Sequence, residues 1–166
     1  MRRLIPAVGA VLLLGCLESS PTASVATRPS LSSTTSDGEG LVVFNTQLRA
    51  ENEVPPRPAE AKGHSQITIL ENGDIEFMII INNKDLQQHF MAHIHKAPEG
   101  VNGPIHWDLV FPSVPPFCTD EHCDVRGTAV PRAAANLTDL RENPELYYVN
   151  VHSTIWPGGS MRGQLP

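Results

Sequence analysis

From residue 41 onward, apolar and polar residues alternate in short runs. The clearest alternation covers residues 66–70 and 75–81, which are separated by Glu71-Asn72-Gly73-Asp74. Alternation with a period of two is typical of strands that bury one face. Asn-Gly between two such runs is the strongest short signal of a hairpin. The pattern therefore predicts an antiparallel hairpin in this part of the chain.

Similar runs recur to the end of the chain, separated by turns rich in Pro and Gly. Further strands are predicted at residues 41–48, 90–96, 105–111, 125–130, 147–152 and 160–165. One short helix is predicted at residues 137–143, ending before Pro144. About seven to nine short antiparallel strands are typical of a β-sandwich or flattened barrel. We therefore predict a single all-β domain, immunoglobulin-like or similar to copper–zinc superoxide dismutase.

The first forty residues lack this pattern. Residues 1–15 join Arg2 and Arg3 to an apolar stretch that is too short to span a bilayer, as in an export signal. Residues 16–40 are rich in Ser, Thr, Pro and Ala, and such a composition cannot bury enough apolar surface to fold. We expect a signal peptide (1–15), a flexible tether (16–40) and a folded domain (41–166).

The run Leu13-Leu14-Gly15-Cys16 resembles the lipobox of bacterial lipoproteins. The resemblance implies that Cys16 is acylated and anchors the mature protein to the lipid bilayer of the cell envelope. Two or three acyl chains give stable attachment, whereas one would be marginal. Leu17 rather than an acid follows the cysteine, which favours the outer membrane in a cell that has two. The alternative is an ordinary secretory signal with a chance cysteine.

Charge and cysteine content narrow the classes of partner. The formal net charge of −6 argues against nucleic acid as a partner. The chain has three cysteines, so acylation of Cys16 leaves Cys118 and Cys123 to form a disulfide in an oxidising compartment. The alternative for this loop is a metal site that uses His122. The chain contains no nucleotide-binding loop and no nucleophile elbow, and we assign no catalytic residue.

Three histidines form the main candidate site. His93 and His95 are one residue apart in a predicted strand, so both point to the same face and lie roughly 6.5–7 Å apart. His152 lies in the predicted strand at 147–152. Three neutral imidazoles that leave one position open form a chemically sensible Zn or Cu site. The alternative is that these residues line a solvated sheet face or brace loops by hydrogen bonds.

The strand that carries His152 also supplies polar neighbours. If His152 faces the other two histidines, alternation brings Tyr148 and Asn150 to the same side, where they could support a metal. Val149 and Val151 would then face the core. This half-buried pattern is the one expected of a strand that carries a site.

Three charged residues near predicted turns have more than one interpretation. Glu51 and Glu53 precede a Pro-Pro turn and could approach the histidine face to bind a cation, although such acids are usually solvated. Arg162 is expected to form an ion pair inside the fold, with contact to a ligand as the alternative.

Five short motifs occur in a fixed order along the domain. They are Glu53-Val54-Pro55-Pro56, Ala92-His93-Ile94-His95, Asn102-Gly103-Pro104, and the runs at 148–153 and 157–165. Together they resemble the CHRD domain, a module named from chordin that also occurs singly in bacterial exported proteins. The resemblance covers residues 41–166 and implies a β-rich extracytoplasmic module. Chordin is a growth-factor antagonist, and a bacterial lipoprotein is not expected to inherit its partner.

A looser similarity connects the histidines with copper–zinc superoxide dismutase, which also carries His-x-His on a β-sandwich. His106 and Asp108 could add a ligand and a carboxylate, but His106 alternates with Trp107, and one of these two must face inward. The glycines and zinc ligands of that family's metal loop are not convincingly present. We predict a binding module for an unknown protein or small ligand, with a candidate site for one Zn or Cu ion. The alternatives are a dismutase-like metalloenzyme and a purely structural envelope protein.

Overall fold

The structure is a computed structural model that describes residues 41–166. The expected signal peptide (1–15), the lipidation site Cys16 and the tether (16–40) lie outside the described residues. Among the residues described, no helix is long and apolar enough to cross a membrane.

Nine antiparallel strands form one nearly closed sheet in the order β6-β3-β2-β1-β9-β8-β4-β5-β7. The strands are β1 (Val42–Arg49), β2 (Lys62–Ile69), β3 (Ile75–Asn82), β4 (His89–Lys96), β5 (Ile105–Val110), β6 (His122–Thr128), β7 (Val130–Pro131), β8 (Tyr147–Ser153) and β9 (Met161–Gln164). Helix α1 (Leu137–Glu142) and two single 3-10 turns (Ala50–Asn52 and Pro144–Leu146) complete the elements of the described region. The prediction of an all-β fold of the sandwich or barrel kind is confirmed.

The sheet nearly closes because one segment changes partners. β6 pairs with β3, and after Ala129 the short β7 pairs with β5 at the other end of the strand order. The Ala129 N–H still donates to Ile75 O at 2.7 Å, so the chain leaves β3 only at this residue. The prediction of one strand at 125–130 is therefore wrong in its boundaries, since the segment holds two strands with different neighbours.

The apolar core fills one side of the sheet. Alternation in β2 and β3 points Ile67 and Ile79 inward, and both are fully buried. On the other half of the sheet, Ile94, Val149 and Val151 are also fully buried. Burial of apolar side chains of this size is the main stabilising contribution to such a fold.

The opposite side of β4 and β8 is covered as well. All seven residues of β8 are buried, so this strand has protein against both of its faces. One part of the cover is the loop after β4, which lies so close that a Cβ on Gly103 would stand 1.9 Å from Lys96 O. Only glycine fits there, and its absent side chain allows the loop to close over the sheet. We call this side of β4 and β8 the covered face.

Candidate metal centre

Three histidines from neighbouring strands meet on the covered face. β4 contributes His93 and His95, and β8 contributes His152, which the register places opposite Met91. One nitrogen from each ring lies within 4.8 Å of a nitrogen from each of the other two. The three residues are 2%, 8% and 4% exposed, respectively. The alternative of a solvated sheet face is therefore wrong.

The outer nitrogen of each ring lies beside an oxygen that can only accept a hydrogen bond. The contacts are His93 Nε2 to Asp108 Oδ1 at 3.4 Å, His95 Nδ1 to Gly103 O at 2.9 Å and His152 Nδ1 to Pro157 O at 3.0 Å. A carbonyl oxygen has no proton to give, so the ring nitrogens of His95 and His152 must be the donors in these two hydrogen bonds. The neutral rings of His95 and His152 then keep their lone pairs on the inner nitrogens.

The three inner nitrogens face one another. His93 Nδ1 and His152 Nε2 form a 3.0 Å hydrogen bond, in which His93 donates because Nε2 of His152 carries the lone pair, and His95 Nε2 is buried with no hydrogen-bond partner. His93 Nδ1 gains a lone pair when its proton moves to Nε2, beside Asp108. The cluster therefore presents two lone pairs, and a third after this tautomer change, to one small region.

This geometry matches the needs of a metal bound by imidazoles. Zn–N bonds of about 2.0–2.1 Å in a tetrahedral site place ligand nitrogens roughly 3.4 Å apart. His93 Nδ1 and His152 Nε2 are 3.0 Å apart, which is already close to that separation. The three nitrogens lie within 4.8 Å of one another, so a small movement of the His95 ring would bring its nitrogen to the same separation. Histidines that bind metals nearly always donate their other N–H to a carbonyl or carboxylate.

Burial also fixes the charge state of the rings. Desolvation lowers the pKa of His93 to about 3 and that of His152 to about 4, and it lowers the pKa of His95 as well. Neighbouring imidazoles lower the pKa of His93 further, because adjacent positive charges would repel. The rings are thus neutral at pH 7, and neutral imidazole is the form that binds metals.

Asp108 is the carboxylate that serves His93. The register of β4 and β5 places the two residues opposite each other, and Asp108 is 4% exposed. Arg132 Nε and Nη2 donate to its two oxygens at 2.8 and 2.7 Å. The bidentate pair fixes the carboxylate, which in turn orients the His93 ring.

His106 does not join the cluster. Its ring packs against Trp107 and Tyr147, at centroid distances of 5.9 and 5.7 Å. One of His106 and Trp107 is expected to face inward, and Trp107 does lie in the core, yet His106 is buried as well, at 7% exposed against 3% for Trp107. Both faces of β5 are covered here, and the pairing with β4 is irregular between Ile94 and His95.

Tyr148 supports His95 from the neighbouring strand. Its ring stacks on the imidazole with centroids 4.9 Å apart and planes 13° from parallel. Its hydroxyl accepts the Gly103 N–H at 3.1 Å, and the same glycine supplies the carbonyl that binds His95. Tyr148 therefore fixes both the ring and the loop that orients it.

Asn150 lies opposite His93 in the register of β4 and β8. It is 2% exposed, and its Oδ1 is buried with no hydrogen-bond partner. Alternation predicted that Asn150 would share a face with Tyr148 and His152, and the structure places it on the covered face beside them.

The three charged residues near the turns have different positions. Glu51 is exposed and forms a 3.6 Å ion pair with Arg49, whereas Glu53 is 2% exposed. The expectation that Arg162 forms an ion pair is wrong: within residues 41–166 no carboxylate lies within 4.0 Å of its guanidinium. Its N–H groups instead bind oxygens of the covering loops.

The sulfurs of Cys118 and Cys123 are 2.07 Å apart, which is the length of a disulfide. The disulfide occupies both thiols, so the alternative metal site with His122 loses its sulfur ligands. Disulfides persist in oxidising compartments, which agrees with a location outside the cytoplasm.

A family model described as the CHRD domain matches residues 44–165. The chain belongs to the CHRD domain family. The matched region contains all three clustered histidines and the loops that cover them, so the cluster lies inside the CHRD domain itself. No curated protein and no solved structure matches the chain.

Proposed function

We propose that this CHRD domain is a binding module organised by one transition-metal ion, Zn²⁺ or copper, held by His93 Nδ1, His95 Nε2 and His152 Nε2. One observation carries the proposal. Three buried histidines bring one nitrogen each within 4.8 Å of the others, two of the rings donate their outer N–H to backbone carbonyls, and His95 Nε2 has no donor. A cation would take up the lone pairs of His95 and His152 and replace the proton between His93 and His152.

The burial of the cluster limits access to the ion. Three histidines leave the fourth position of a tetrahedral site without a protein ligand, as in catalytic zinc sites. The three histidines are only 2% to 8% exposed, so a substrate would have little access to this position, which favours a structural role over a dismutase-like enzyme. Through the outer nitrogens, the ion would connect β4 and β8 to the loops that contain Gly103 and Pro157. Those loops then form a rigid surface for a protein or small ligand.

Metal analysis of the full-length protein tests the proposal. The protein is refolded with Zn²⁺ or Cu²⁺, dialysed, and compared with a His93→Ala/His95→Ala/His152→Ala variant and with His122→Ala as the matched control. We expect about one equivalent in the parent and the control and none in the folded triple variant. Absence of metal from a folded parent would show that the histidines are only structural.

We further propose that the domain is exported and anchored through acylated Cys16. The support is the lipobox-like run that ends at this cysteine. Detergent phase partitioning tests the anchor: the parent should enter the detergent phase, and Cys16→Ser should stay in the aqueous phase. Equal partitioning of the two proteins would exclude an acyl anchor at this position.

A further inference from the structure

The three clustered histidines fill three of the four positions of a tetrahedral metal site. In residues 41–166, the group of His, Cys, Asp and Glu ligand atoms that lie within 4.8 Å of one another contains these three histidines only. The fourth ligand is therefore a water molecule or a side chain of another type. Methionine is such a type, because its thioether sulfur is a soft metal ligand.

Met91 lies on the same strand face as two of the histidines. From Met91 onward the pairing of β4 with β8 is regular, and side chains alternate along such a strand. Ala92 and Ile94 are fully buried in the core, so Met91, His93 and His95 point to the covered face. In agreement, the partly buried apolar side chains that pack against the core of the described region do not include Met91, which is itself half-buried.

The register also places Met91 directly opposite His152 on β8. Residues that face each other in an antiparallel pair have Cα atoms about 4.5–5.5 Å apart and side chains on one face. His93 is two residues further along β4, roughly 6.5–7 Å away. Methionine is unbranched and has three rotatable bonds, so its sulfur adapts to the space beside its neighbours. The sulfur of Met91 is thus within reach of the position where His93 Nδ1 and His152 Nε2 meet.

The surroundings of the cluster favour an ion of low charge. Within residues 41–166, Asp108 is the only carboxylate that lies within 4.0 Å of a ring nitrogen of the cluster, and its bidentate pair with Arg132 neutralises it. Three neutral imidazoles and a thioether carry no negative charge to offset that of a cation. The cost of burying an ion rises with the square of its charge, so this buried set of ligands favours a monovalent ion over a divalent one.

We propose that Met91 Sδ is the fourth ligand and that the centre is selective for Cu⁺. The inference rests on the proposed three-histidine centre. A thioether is a soft ligand that suits Cu⁺, whereas Zn²⁺ is bound in proteins by thiolate, imidazole and carboxylate groups. β4 then supplies three ligands, Met91, His93 and His95, and β8 supplies the fourth, His152.

Metal competition with the full-length protein tests the proposal. Cu⁺ affinity is measured without oxygen against bicinchoninate, and Zn²⁺ affinity against a chromophoric zinc chelator. Met91→Leu keeps an apolar side chain of similar size and removes the sulfur. It should lower Cu⁺ affinity by about tenfold or more, at least as much as loss of a group that only supports a ligand. Zn²⁺ affinity should stay within about threefold of the parent value. Met78→Leu, which changes a half-buried methionine on β3, is the matched control and should change neither affinity.

X-ray absorption at the copper edge gives a second measurement that a merely structural role of Met91 would not affect. The parent loaded with Cu⁺ should show sulfur among the copper ligands, and folded Met91→Leu should show none. Copper bound without sulfur in the parent, together with equal Cu⁺ affinity in the two proteins, would overturn the role of Met91 and leave the three-histidine centre intact. Tighter binding of Zn²⁺ than of Cu⁺ by the parent would overturn the selectivity. A folded parent that binds neither metal would overturn the histidine centre itself.

Discussion

Glu53→Gln should remove a large part of the pH dependence of folding stability. Burial raises the pKa of Glu53 from 4.5 to about 7, so the folded state holds this proton more tightly than the unfolded state does. The stabilisation is complete below pH 4.5 and is lost as the pH rises through about 7. At about 1.4 kcal/mol per pKa unit, the loss is on the order of 3 kcal/mol. Gln resembles the neutral acid and cannot lose a proton in this range.

Urea unfolding of the parent and the variant at pH 4.5 and pH 8 measures this effect, with EDTA present to remove metals. The buried histidines act in the opposite sense: their lowered pKa values remove stability as the pH falls below about 6.5. That contribution is common to both proteins and cancels in the difference between them. Between pH 4.5 and 8, the variant should gain about 3 kcal/mol relative to the parent. A difference that stays constant with pH would refute the reasoning, and Glu71→Gln should behave like the parent.

Three further substitutions test the site and the packing. Asp108→Asn removes the carboxylate charge beside His93 and should lower metal affinity by about 10- to 100-fold. Competition with a chromophoric chelator measures the affinity, and an unchanged value would mean that the carboxylate does not support the metal site. Gly163→Ala places a Cβ 2.3 Å from Gln47 O and should cost about 1–3 kcal/mol in urea unfolding. Gly158→Ala, which has no atom within 4 Å, should stay within about 0.5 kcal/mol of the parent, and equal effects would contradict the packing argument. Ile94→Ala removes a fully buried side chain and should cost about 2–5 kcal/mol, whereas Ile80→Ala at a 44% exposed position should cost much less.

Local patterns predicted most of the fold. The hairpin at 66–81 formed as expected because alternation sets the buried face and Gly73, with a φ of 89°, makes the turn. The split between β6 and β7 could not be predicted in this way. Burial alternates over residues 122–126, but Arg126, Gly127, Thr128 and both residues of β7 are exposed, so no pattern marks the change of partner at Ala129.

The histidines of the candidate site were predictable, and their surroundings were not. Strand spacing placed His93 and His95 on one face, but it carried no information about what covers that face. The carbonyls of Gly103 and Pro157 come from loops, and their only sequence signal was membership in two turn motifs. The pairing of Asp108 with His93 depends on the register between two strands, and sequence alone does not reveal that register.

The buried Glu53 illustrates the same limit. Acids before a Pro-Pro turn are usually solvated, and the sequence distinguishes Glu53 from Glu51 only in that Glu53 begins one of the five CHRD-like motifs. The structure separates them because the turn after β1 folds Glu53 against Asn150 and Gly159, whereas Glu51 remains at the surface. Tertiary packing, rather than local composition, decides which of the two acids is buried.

The outward hydrogen bonds of His95 and His152 also make the domain observable by NMR. A histidine ring proton normally exchanges with water too quickly to be seen, but these two protons are donated to carbonyl oxygens inside the protein. Exchange then requires local opening. Each bond ends on a different segment, so the disappearance of one ring-proton signal reports the opening of that segment alone. Histidine labelled with ¹⁵N should therefore follow the movements of the covering loops one at a time, and a folded sample without slowly exchanging ring protons would contradict this expectation.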